Sequence, residues 1–123
     1  NLSMNGHVIL ALFHLLFVVP FFLYVGLQRS AAPNEVFTTL LVLGIVVTVY
    51  HGYKAYVRYV NSSPLFWISA IHFFLIGPLL ITIRLKGKNT ETPYYELLLI
   101  AAFGAGGYHL YGLIHEMNNL KDD

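Results

Sequence analysis

An all-α integral membrane protein, a four-helix bundle made from a tandem two-helix repeat, is the fold class that this 123-residue sequence predicts. Three observations carry that expectation. The composition is 57% apolar and only 11% charged, with a mean hydropathy of +0.65, where a soluble domain carries about 25% charged residues. Four stretches lack Lys, Arg, Asp and Glu altogether: His7–Leu27, Val36–Tyr53, Tyr59–Ile83 and Leu97–Ile114, of 21, 18, 25 and 18 residues. A helix needs about 20 apolar residues to cross the hydrocarbon core, so each stretch has the length of a span. Finally, the chain matches itself without gaps at an offset of 58 residues, with eight of 46 aligned pairs identical: His14/His72, Pro20/Pro78, Leu27/Leu85, Leu40/Leu98, Leu41/Leu99, Tyr50/Tyr108, His51/His109 and Tyr53/Tyr111.

The first span, within residues 7–27, is read as a membrane helix and not as a signal peptide. Its apolar run is longer than a signal h-region and has no basic flank. The second span follows the polar break QRSAAPNE, the third follows VNSSP and the fourth follows RLKGKNTETP. Each break ends in helix-start chemistry, with Asn34, Ser63 and Thr92 as capping residues ahead of Glu35, Pro64 and Pro93. With lipid outside, helices satisfy the backbone within each span. Two spans per copy make the copies parallel repeats, about residues 7–60 and 64–118, related by a pseudo-two-fold axis along the membrane normal. The whole is expected to be a single transmembrane domain.

Helical rise places His14 shortly before the middle of the first span and His51 about as far beyond the middle of the second, which runs the other way. The offset brings His72 and His109 to the same depth, so a layer of four imidazoles is expected. On the second span Gly44, Thr48, His51 and Ala55 share a face; on the fourth, Ala102, Ala105, Gly106, His109 and Gly112 do. Small residues are where membrane helices approach one another. Pro20 and Pro78, six residues past His14 and His72, each remove a backbone hydrogen bond and bend the helix near the layer. Tyr50, Tyr53, Tyr108 and Tyr111 offer hydroxyl partners to the histidines or form an interfacial aromatic belt. Lys54 and Arg58 snorkel to head groups, or Arg58 pairs with its counterpart Glu116.

Ionisable groups at this depth are costly and point to function. Imidazoles titrate near neutral pH, which suits a proton or small-cation path. Thr38, Thr39 and Thr48 begin a polar track that Glu35 and Glu96 could complete. Haem b held axially by two histidines is an alternative, with Lys54 and Arg58 placed for propionates. A transition metal on His51 and His109 is another. A structural subunit, in which the histidines hydrogen-bond helices together, is the last. A ferritin-like centre needs core carboxylates and Glu-x-x-His, which are absent. With no cysteine, thiolate metal sites and disulfides are excluded. No nucleophilic triad, phosphate loop or HExxH occurs, so ordinary hydrolytic catalysis is not expected. The net charge of +1, without a basic stripe, gives no case for nucleic acid. The expected partners are the lipid bilayer and either further copies or a larger membrane complex. Arg29, Arg84, Lys86 and Lys88 against Lys54, Arg58 and Lys121 put the termini on the non-cytoplasmic side.

Overall fold

The computed structural model describes residues 6–122, with side chains to residue 118, so Lys121 of the charge comparison falls outside the described side chains. Among the described residues there is helix and no strand. Four helices are long and apolar enough to cross a membrane: α1, Gly6–Ala31; α2, Asn34–Val60; α3, Phe66–Asn89; and α4, Thr92–Asp122, whose apolar window lies within Thr92–Asn118. They fit an integral membrane protein. Leu16, Phe74 and Leu85 are each about three-quarters exposed, which fits contact with lipid. The 27 residues of α2 rise about 40 Å, more than the hydrocarbon thickness.

The helix starts follow the sequence in part. Ser63 Oγ accepts from the Leu65 N–H at 3.1 Å in the turn that leads into α3, but the N-cap is Leu65 and no side chain caps the helix. Asn34 does not cap: it is already the first helical residue, and Pro33 before it is extended, with φ −62° and ψ 156°. The proline ring sets that φ, and the helix begins one residue earlier than the capping pattern suggests. Thr92 likewise lies inside α4.

Local backbone geometry repeats at the same 58-residue offset. α1 widens into a π-turn at His14–Val18, and α3 does so at His72–Ile76. In each the closing bond skips one extra residue, Val19 N–H to His14 O and Gly77 N–H to His72 O. The cause is the proline that follows each closing donor, Pro20 or Pro78. It supplies no N–H, and its ring crowds the carbonyl four residues back; widening the turn moves that carbonyl aside. The first helical stretch ends at Gln28 and its counterpart at Lys86. A residue with positive φ follows in each, Arg29 at 55° and Gly87 at 57°. Both open 3₁₀ turns, Arg29–Ala31 and Gly87–Asn89, before the chain extends at Ala32 and Thr90. Burial follows the same offset: both members of Ala11/Ser69, Phe22/Leu80, Val25/Ile83, Phe37/Tyr95 and Leu40/Leu98 are buried.

Positive φ gives two substitutions of opposite sign. Ser62 sits at φ 53°, where a Cβ costs about 1 kcal/mol, so Ser62→Gly should stabilise by about that amount. Gly87 combines φ 57° with ψ −132°, a region nearly closed to other residues, so Gly87→Ala should destabilise by about 1–3 kcal/mol. Chemical unfolding in detergent micelles checks both.

The chain resolves into two units, Asn1–Leu27 with Tyr95–Asp123, and Gln28–Tyr94. In the first, α1 packs on α4 around Val25, Tyr95 and Leu98, each at most 2% exposed. Gly26 is the close approach there: a Cβ on it would lie 2.6 Å from the Leu99 side chain. In the second, α2 packs on α3 around Leu40, Leu80 and Ile83. A Cβ on Gly44 would lie 2.8 Å from Ile81 Cγ1, and one on Gly77 would overlap Thr48 Oγ1. Lys88 fastens the α1–α2 turn to the α3–α4 turn, its Nζ donating to Ser30 O at 2.9 Å and Ala32 O at 2.8 Å.

Candidate functional site

Each unit contains one stacked pair of imidazoles. In the α1/α4 unit, His14 lies on His109 with ring centroids 4.2 Å apart and planes 27° from parallel. In the α2/α3 unit, His51 lies on His72, again at 4.2 Å, with planes at 20°. All four side chains are half-buried. Shifting by 58 residues turns one pair into the other, since His14 becomes His72 and His109 becomes the counterpart of His51.

The histidine at the head of each π-turn is held in the same way. Nδ1 of His14 is 2.9 Å from Leu10 O, and Nδ1 of His72 is 2.7 Å from Ile68 O. A carbonyl only accepts, so Nδ1 carries the proton in the neutral ring and Nε2 keeps its lone pair. Ring direction and tautomer are thus set by the helix itself. Neighbouring aromatics brace the stacks edge-on: Phe13 against His14 at 5.6 Å, Tyr50 against His51 at 5.1 Å and Tyr108 against His109 at 5.1 Å.

Stacking also bears on cofactors. An axially ligated haem iron sits between two imidazole nitrogens that approach it from opposite sides. Two rings lying face to face at 4.2 Å leave no place for such an iron between them, so neither observed pair fits haem as it stands. Among the described residues no group of three or more His, Asp or Glu side chains converges to hold a metal. His51 and His109, which the sequence suggests for a metal, each stack on a different ring.

The remaining sequence candidates separate into inward and outward sets. Tyr50, Tyr53, Tyr108 and Tyr111 are each more than half exposed, the disposition of belt residues and not of buried partners. Arg58 does not snorkel freely: its Nη1 donates to Oγ of the fully buried Ser69 at 2.7 Å. Lys54 and Glu116 are half-buried. Gly44 is a close helix contact, while Gly106 meets only Val19, at 3.9 Å from a hypothetical Cβ. The small-residue face of α4 is buried at Ala102 and opens along the helix, with nothing within 4 Å of Gly112. Thr48 faces Gly77 while donating to Gly44 O at 2.7 Å, and Thr39 donates to Glu35 O at 3.0 Å. These hydroxyls are spent on their own helix.

Sequence reading missed the Leu10 and Ile68 carbonyls, the Gly77 contact and the Ser69 anchor. The usable signal for the first was a histidine six residues before a proline, twice. No family model, curated protein or solved structure matches this chain.

Proposed function

We propose that this small polytopic membrane protein handles protons or small cations through its two histidine pairs. One observation carries the reading: two rings stacked at 4.2 Å within each unit, with the tautomer of one ring fixed by a backbone carbonyl. Two imidazolium charges at that separation repel by about 4 kcal/mol at an effective dielectric of 20. Each neutral ring already carries one N–H proton, so a pair favours taking up one additional proton and not two, and an arriving proton displaces the one taken up before it. Each pair acts as a single-occupancy relay station within its own unit.

The duplication belongs to the same reading. A two-helix hairpin, residues 7–60 and 64–118, copied in tandem accounts for the equal offsets of the π-turns, the positive-φ residues, the 3₁₀ turns and the buried positions. It also accounts for the way the α1/α4 pair corresponds to the α3/α2 pair. The charge bias of the turns supports termini on the non-cytoplasmic side.

Proton flux into liposomes containing the purified protein tests the function. His51→Ala with His109→Ala removes one ring from each pair, and flux should drop to that of protein-free liposomes. Unchanged flux in a folded double variant would remove the relay and leave the histidines as packing groups of a structural subunit.

A further inference from the structure

A second feature of the α2/α3 unit lies outside the histidine pairs. A cavity of about 280 Å³ opens where α2 begins and α3 ends, lined by Asn34, Phe37, Thr38, Arg84, Gly87 and Lys88. Two cations and no acidic group line it. Arg84 Nε is buried there without a hydrogen-bond partner, and a buried donor left unmatched is costly. Lys88 is held in place by two carbonyls, which uses two of its three N–H donors. Glu91, in the adjoining turn, is not among the lining residues and pairs with Lys86 at 3.3 Å. Bonding by its own backbone N–H, and then by Lys86, holds its carboxyl below the usual range, so it stays ionised and engaged.

The other copy serves as an internal control. Its turn has the same backbone, but Gly26, Arg29 and Ser30 stand where Arg84, Gly87 and Lys88 do, and Glu96 stands for Thr38. There a Cβ on Gly26 would press into Leu99. The turn therefore does not need Arg84 for its shape. Arg84, its unmatched Nε and Lys88 come together at this cavity.

We propose that this cavity seats a phosphate-bearing anion, with the head group of an anionic lipid as its source. Arg84 supplies a planar guanidinium suited to paired phosphate oxygens. The third N–H of Lys88, whose Nζ also lies over the Phe37 ring at 5.6 Å, the Thr38 hydroxyl and the first turn of α2 complete the cradle. The cavity lies at the end of candidate spans Asn34–Val60 and Phe66–Asn89, at head-group depth, and is smaller than the usual drug-sized pocket. Basic pockets between helix ends are a recurring form of lipid head-group recognition.

Thermal unfolding of the intact protein in maltoside micelles tests this with three probes: phosphatidylglycerol, phosphatidylcholine and inorganic phosphate. Phosphatidylglycerol should raise the midpoint and phosphatidylcholine should not. Arg84→Gln removes the fork and should raise the half-saturating lipid concentration about tenfold. Asn34→Asp places a carboxylate at the rim and should do the same; it favours the start of a helix, so the fold is not at risk. Equal protection by inorganic phosphate, lost in both variants, would support the anion seat with a soluble source. Equal protection by the two lipids, or undiminished protection of folded Asn34→Asp, overturns the proposal.

Discussion

Gly77→Val should destabilise the α2/α3 unit by about 3 kcal/mol, and adding Thr48→Gly should recover most of that loss. Even the first carbon of the new side chain would overlap Thr48 Oγ1 and lie 3.1 Å from Thr48 Cβ, and overpacking at a tight crossing costs about 1–3 kcal/mol. The rescue comes from the other unit. The counterparts of Gly77 and Thr48 at the 58-residue offset are Val19 and Gly106, and these two meet comfortably, with 3.9 Å from a Cβ placed on Gly106 to Val19. Small and large have changed sides at the same crossing. The double variant writes the α1/α4 contact into α2/α3. It forfeits the bond from Thr48 to Gly44 O and some helix propensity, about 1 kcal/mol, so recovery should be incomplete. Unfolding of the two single variants and the double variant in micelles gives the coupling energy directly. Additive effects would show that the crossing is not shared.

Replacing both Pro20 and Pro78 by alanine should abolish flux without unfolding the protein. Alanine restores an N–H and removes the ring, so the reason for each π-turn disappears while helix propensity rises. Closing a π-turn to ordinary α-helix removes a one-residue insertion. The segment before it then turns by about 100° relative to the segment after it. His14 and His72 would leave the faces on which they meet His109 and His51. Flux should fall as it does when the rings themselves are removed, with an unfolding midpoint held or raised. That combination separates ring placement from general stability, because a merely structural role would move both readouts together. Full flux in the double variant would mean that the π-turns do not position the rings.

Hydropathy was enough to expose the four helices, because uncharged runs of 18 to 25 residues match the thickness of a bilayer and are uncommon in chains that fold in water. The turns were legible from the three polar breaks, although the capping role given to Asn34 fell one residue inside the helix. The partners of the histidines were not legible. Periodicity shows which residues share a face, not which helix that face meets, so the pairing of His14 with His109 and of His51 with His72 could not be read from it. The π-turns escaped because an extra residue per turn alters no composition and barely shifts a hydrophobic stripe. Gly77 gave no signal of its own, since its contact with Thr48 depends on a crossing that only coordinates reveal. The exposure of the tyrosines needs less: amphipathic rings near span ends are better placed in the interface than inside.

The fastening made by Lys88 has one more consequence. A single ammonium group, reached from water, joins two connecting segments that are far apart along the chain. Acylation of that one amine would cancel its charge and loosen both connections at once, while the four greasy rods kept their place in lipid. Insertion and the ordering of the water-facing end are therefore separable properties of this molecule, and chemistry at one side chain can alter the second without touching the first.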